Sequence, residues 1–203
     1  KVRAINGNSA ANSEYSVVKS RTCDLARPVV TISNVESSGK IKLSWKAVEG
    51  AVKYEVYRAE SEDGTYKRLI TTAKTSLTNT SAEAGKTYYY KVKPICTSEE
   101  GVYGNFSSES YITCALPNPT NVKATNISST GKIKLSWNKV EGADKYIVYR
   151  RIGSNGTYKK YYTTSNTFII NNAVTVGKTY YYKVKAIYSN NTAANSVSSA
   201  AVN

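Results

Sequence analysis

"GKIKLSWKAVEGAVKYEVYR" at positions 39–58 returns as "GKIKLSWNKVEGADKYIVYR" at positions 131–150. In the first copy Ile41, Leu43 and Trp45 alternate with Lys42 and Ser44, and Tyr54 and Val56 alternate with Glu55 and Tyr57. Successive strand side chains point to opposite faces, so a period of two marks strands with one buried side. The intervening "VEGA" is a turn signal in both copies. Trp45 and Trp137 stand 92 positions apart, and the same offset relates Gly64-Thr65-Tyr66 to Gly156-Thr157-Tyr158 and Gly85 to Gly177. That period exceeds the roughly 20–50 residues of a solenoid unit, so each copy needs a core of its own.

A second repeated stretch is "GKTYYYKVKP" at 85–94 and "GKTYYYKVKA" at 177–186. Alternation sends Tyr88, Tyr90 and Val92 inward, with Tyr180, Tyr182 and Val184 as their counterparts. The outward sets are Tyr89, Lys91 and Lys93, and Tyr181, Lys183 and Lys185. Turn signals "EDGT" and "EAGK", or "SNGT" and "TVGK", separate the remaining short strands. With no helical periodicity of useful length, the chain reads as all-β antiparallel sandwiches. The opening "KVRAINGNSAANSEYSVVKSRTCDLARP" matches "KVKPICTSEEGVYGNFSSESYITCALPNP". Residues 1–23 are therefore expected to be the final strands of a preceding copy whose front lies upstream, with complete repeats at 24–115 and 116–203.

The order of Pro, "LSW", "Y-x-V-Y-R", "TSLT" or "TFII", and "GKTYxYxVx[AP]" resembles the fibronectin type III family. It is most similar to the tandem modules of secreted and surface proteins of Gram-positive bacteria. The resemblance implies tandem immunoglobulin-like β-sandwiches, with Tyr88 and Tyr180 making the tyrosine corner and Trp45 and Trp137 packing the core. Pro94 departs from Ala186 of the second copy. Because proline lacks a ladder donor, the strand of the first copy is expected to end or bulge there.

The 203 residues carry a net charge of +14. Residues 1–23 contribute +3, residues 24–115 +1 and residues 116–203 +10. A lysine-rich solvated surface or an anionic neighbour would each account for that asymmetry. No run approaches the roughly 20 apolar residues of a membrane helix, so no membrane insertion is expected.

The chain has no His, which removes the commonest general base and neutral metal ligand. The acids Glu60, Glu62 and Asp63 sit in one turn without the spacing of a calcium loop, and Glu49 and Glu141 recur in the "VEGA" turns. No phosphate loop or nucleophile motif is present. The expectation is no catalytic residue, no metal and no cofactor. Cys96 and Cys114 fall near opposite ends of a hairpin, too far apart for a bridge, and Cys23 is one repeat away, so unbridged thiols are expected. The sequons at Asn79, Asn105, Asn126, Asn155 and Asn190 are what an Asn/Ser/Thr-rich composition produces.

The strand carrying "YEVYR" is expected beside the tyrosine strand, adding Lys53, Glu55 and Tyr57 to the outward face of the first copy. In the second copy it adds Lys145, Ile147 and Tyr149, and "TYKKYY" (157–162) lies next to it. Exchange of Glu55 for Ile147 is expected to remove the one acid from the face. The candidate binding set is Lys145, Tyr149, Lys159, Lys160, Tyr181, Lys183 and Lys185. Such a surface suits an anionic glycan or cell-wall polymer: cations neutralise phosphate or sulfate while tyrosine rings pack on sugars. Nucleic acid is disfavoured. Equally, cross-strand Tyr and Lys side chains can simply cover a sheet.

Two functions are therefore expected of an extracellular protein. One is a spacer or display rod of non-catalytic modules, partnered by other domains of the same polypeptide. The other is a polyanion- or carbohydrate-binding accessory module of a glycan-active enzyme.

Overall fold

Each repeat folds its alternating segments into two antiparallel sheets that close over one core. The computed structural model describes residues 3–5, 13–16, 25–96 and 103–203. Most of residues 1–23, including Cys23, lies outside the described residues, and the expectation of a preceding copy falls there.

In the first repeat β1 (Val30–Val35), β2 (Lys40–Trp45) and β5 (Ser76–Asn79) form one sheet in the order β1-β2-β5. The strands β3 (Lys53–Ala59), β4 (Lys67–Thr72), β6 (Thr87–Ile95) and β7 (Ser110–Thr113) form the other, in the order β4-β3-β6-β7. In the second repeat β8 (Lys123–Ile127), β9 (Lys132–Ser136) and β12 (Phe168–Asn171) repeat the first sheet as β12-β9-β8. The facing sheet is β11-β10-β13, from β10 (Lys145–Ile152), β11 (Lys159–Thr164) and β13 (Tyr180–Ile187). Here the last strand is reduced to two bridges, Lys185 with Ser198 and Tyr182 with Val202.

Alternation decides what is inside. Ile41, Leu43 and Trp45 from β2 meet Tyr54 and Val56 from β3 and Tyr88, Tyr90 and Val92 from β6. Leu135, Trp137, Tyr146, Val148, Tyr180, Tyr182 and Val184 are their counterparts. Each tyrosine buried in the two cores must place its hydroxyl, and each does so. The Tyr88 and Tyr180 hydroxyls accept backbone N–H groups of Glu83 (3.1 Å) and Thr175 (2.8 Å), five residues upstream. Tyr54 and Tyr146 accept from Val48 and Val140 N–H, both at 2.8 Å, which ties the "VEGA" turn to the core. Trp45 and Trp137 stand edge-on to Tyr54 and Tyr146, with ring centroids 5.4 and 5.3 Å apart.

The strand β6 does not end at Pro94: it runs through it to Ile95, with Pro94 opposite Tyr54. The second copy supplies the reason. The N–H of Ala186 points away from β10 and donates to Ser196 Oγ at 2.9 Å. A proline at this position therefore removes no bond between the central strands. Its ring is admitted because Gly104 stands opposite, where a Cβ would come within 2.8 Å of Pro94 Cγ.

The two sandwiches meet at a joint built on close backbone approach. A Cβ on Gly39 would lie 2.6 Å from Pro117 Cδ, and one on Gly85 would lie 2.6 Å from the Tyr188 ring. Asn118 N–H donates to the Glu36 carbonyl at 2.8 Å. The Asn118 side-chain amide donates to the Glu36 carboxylate at 3.2 Å, and that of Asn191 donates to the Gly85 carbonyl at 3.4 Å. Ala84 of the first repeat packs against the core of the second.

Cys96 and Cys114 are not joined by a disulfide. Cys114 is fully buried, and its Sγ donates to the Gly39 carbonyl at 3.1 Å.

Candidate functional site

The outward face of the β11-β10-β13 sheet is assembled in rows by the strand register. Ile147 stands opposite Lys185, Tyr149 opposite Lys183, and Arg151 opposite Tyr181. Across the other edge of β10 the register slips between Val148 and Tyr149, so that Tyr149 faces Lys160 and Tyr161 is the extra residue. A bulge of this kind re-aims the side chains beyond it. Lys160 thereby joins the row of Tyr149 and Lys183, while Tyr161 turns toward the core, where its hydroxyl donates to Asn171 Oδ1 at 2.7 Å. The same slip occurs in the first repeat between Val56 and Tyr57.

Of the residues singled out from the sequence, Tyr149, Lys160, Tyr181, Lys183 and Lys185 are brought together on this face. Lys145 is exposed at its end. Lys159 is not part of it. It pairs with Arg150 on the opposite side of the pleat and lines an open depression of about 480 Å³ with Arg150, Arg151, Lys160 and Tyr161.

The chemistry differs between the repeats. In the first, Glu55 is buried beneath two donors: Arg68 Nη1 at 2.8 Å and the Tyr57 hydroxyl at 2.9 Å. Hydrogen bonding to Glu55 raises the Arg68 pKa, and burial together with Glu55 raises that of Tyr57. Glu55 is not the one acid of this face, contrary to the expectation. Glu109, just before β7, accepts from the Tyr66 hydroxyl and pairs with Lys91 Nζ at 3.4 Å. Burial, then Glu109, push the Tyr66 phenol well above its usual value. Lys93 is capped by Tyr103 and Phe106, at 4.1 and 5.2 Å from their ring centroids.

In the second repeat Ile147 stands for Glu55 and Ala201 for Glu109, while Asn195 and Ser198 stand for Tyr103 and Phe106. Both carboxylates are thus gone, and no ring is placed over Lys185 among the described residues. The acids this repeat retains are engaged elsewhere: Glu141 with Lys139 at 3.5 Å in a turn, and Asp144 accepting Ser189 N–H. What remains is a cationic face bearing tyrosine rings.

Two members were missed from sequence. Arg151 lies with its guanidinium carbon 5.0 Å from the Tyr158 ring centroid and 4.4 Å from that of Tyr181. Lys183 Nζ approaches the other member, Tyr158, at 4.9 Å. The signal for Arg151 was the doubled arginine of "VYRRIG" where the first copy has "VYRAES"; the signal for Tyr158 was its 92-residue offset from Tyr66. Among the described residues no group of three or more Cys, Asp or Glu is placed to hold a metal ion.

The chain is 32% identical over 149 residues to fibronectin type III domain-containing protein 7 of Homo sapiens, a match covering 72% of this chain and 19% of that protein. It is 32% identical over 71 residues to amylopullulanase of Thermoanaerobacter thermohydrosulfuricus, covering 34% of this chain and 5% of that protein. The chain thus spans less than a fifth of the curated relatives it matches. Among solved structures, a segment of two fibronectin type III domains from chicken tenascin overlays with a TM-score of 0.50 at 18% identity, over 87% of this chain and 99% of that one. No family model matches the sequence. Two sheets in this strand order, a tyrosine corner in each repeat and relatives of this description lead to one assignment: the chain belongs to the fibronectin type III family and carries its modules in tandem.

Proposed function

We propose that the chain supplies non-catalytic spacer and interaction modules to a larger secreted or surface-attached bacterial protein. The observation that carries this reading is the joint. A Cβ on Gly39 would collide with Pro117 and one on Gly85 with the Tyr188 ring, and Asn118 and Asn191 bond across it. Flexibly tethered domains need no such fit, since relative motion is the default unless an interface opposes it. The absence of His and of nucleophile and phosphate-loop motifs in the sequence supports the non-catalytic part. Among the described residues no helix is long and apolar enough to cross a membrane. Backbone relaxation by NMR tests the proposal: both modules should report one shared tumbling time, and two independent times would refute it.

A second reading is favoured by the acid-free face of the second module and by the similarity to a segment of amylopullulanase. Here the modules are accessories of a glycan-active enzyme, and the Tyr/Lys/Arg face holds an anionic glycan or wall polymer. Retention of the whole chain on an immobilised acidic polysaccharide tests this. The triple variant K160Q/K183Q/K185Q should elute at much lower salt than the parent, because each lost cation removes one counterion-releasing contact. Unchanged elution would remove the face from consideration.

A further inference from the structure

The first module carries its own anion on the outward face. Glu109 accepts from the Tyr66 hydroxyl and pairs with Lys91, whose Nζ lies 4.2 Å from the Tyr66 ring centroid. In the second module the surrounding donors persist, with Tyr158 for Tyr66 and Lys183 for Lys91, and Arg151 is added where the first has Ala59. The carboxylate alone is missing. Pairing of Tyr182 with Val202, as of Tyr90 with Ser110, sets Ala201 at the register position of Glu109.

The loss leaves a trace in the hydrogen bonding. The Tyr158 hydroxyl and Arg151 Nε are both buried without a hydrogen-bond partner. Lys183 and Arg151 only donate, so neither can accept the Tyr158 O–H, and the one acceptor that Arg151 reaches among the described residues is the Ser154 carbonyl, through Nη1. A buried donor without an acceptor is destabilising, and an incoming oxyanion relieves that penalty.

We propose that Tyr158, Arg151 and Lys183 form a subsite for the carboxylate of an acidic polysaccharide, a uronate unit, whose oxygens take the place that Glu109 fills in the first module. The proposal rests on the reading of this face as a glycan-binding surface. A carboxylate is specified because the internal template is one, and because a guanidinium beside a phenol hydroxyl offers it charge-assisted hydrogen bonds. Tyr149 and Tyr181 flank the subsite and give a sugar ring an aromatic surface to lie on. The flanking lysine and arginine are long, so entry of the carboxylate moves side chains and not backbone.

The test uses the whole chain and isothermal titration with polygalacturonate, dextran sulfate and neutral pullulan. Ala201→Glu returns an internal carboxylate to the subsite and should weaken polygalacturonate binding about tenfold. Thr125→Glu, the same charge change on the exposed side of β8 in the other sheet, should weaken it less than about twofold. Tyr158→Phe should weaken binding several-fold while leaving thermal stability unchanged or raised, since it deletes an unsatisfied hydroxyl. Equal effects of Ala201→Glu and Thr125→Glu, with the parent still binding, would overturn the subsite and leave the face reading standing. An Ala201→Glu loss as large on dextran sulfate, which has no carboxylate, as on polygalacturonate would overturn the carboxylate assignment. Failure of the parent chain to bind either acidic polymer would overturn the face reading and the subsite together.

Discussion

Asn171 shows how much one side chain holds in the second core. Its Oδ1 accepts from Ala173 N–H at 3.0 Å, from the Tyr161 hydroxyl at 2.7 Å and from Arg150 at 3.2 Å, while its Nδ2 donates to the Tyr182 hydroxyl at 2.6 Å. Replacement by Ala strands several buried groups at once. Asn171→Ala is therefore expected to cost about 3 kcal/mol, read as a lower urea midpoint for the second module at unchanged slope. The two central tyrosines also set an alkaline limit. Burial pushes the Tyr90 phenol up to about 12 from the usual 10, and raises Tyr182 in the same direction. The unfolded chain loses these protons first, so stability should be intact below about pH 10 and should decline as pH rises toward about 12. Thermal melts across that range check the sign. The inward position of Asn79 and Asn171 was legible from alternation, but their role was not. Asn79 stood out in the sequence merely as part of a sequon, because periodicity marks where a side chain points and not which hydrogen bonds it makes.

At the level of strands, the sequence carried the pairing of β3 with β6 and of β10 with β13, and the inside–outside sorting of "TYYYKVK". It did not carry the partners that arrive from distant segments. Glu109 reaches the first face from the edge strand, and its absence in the second face could have been noticed by comparing Glu109 with Ala201 at the common offset. Lys159 and Lys160 could not be sorted without the bulge, since a single extra residue exchanges their sides. The expected stop at Pro94 failed for a related reason: a proline is harmful in a strand according to which neighbour its N–H would face, and that direction belongs to the sheet. The pair Pro94 and Gly104 corresponds to Ala186 and Ser196. Ala186→Pro alone should destabilise the second module by about 2 kcal/mol, through the lost bond to Ser196 and the collision with its side chain. Adding Ser196→Gly should recover about 1 kcal/mol relative to the sum of the single changes, measured as a double-mutant cycle in urea.

Across the whole molecule, the joint distinguishes two glycines that are equivalent by sequence. Gly85 and Gly177 have φ of 89° and 79°, so an alanine is strained at either. Gly177 faces open space, whereas Gly85 lies against Tyr188. Gly85→Ala should therefore cost about 1–3 kcal/mol more than Gly177→Ala, and should separate the tumbling times of the two modules where Gly177→Ala does not. Paired melting curves and relaxation data on the two variants check both halves. The repeat period made two modules legible from sequence, but not this contact. Nothing in a repeating pattern tells which of two matching glycines meets a neighbour.

The hydrogen bond from the Cys114 thiol to the Gly39 carbonyl gives the first module a built-in chemical clock. The sulfur is packed in the core of the first module, and burial holds the thiol above its usual pKa, which keeps the reactive thiolate scarce. Alkylation at this one sulfur, followed by mass spectrometry of its peptide, should report how often the core of the first module opens. Gly85→Ala should quicken it, turning a rare opening that leaves no mark on the average structure into a measurable rate.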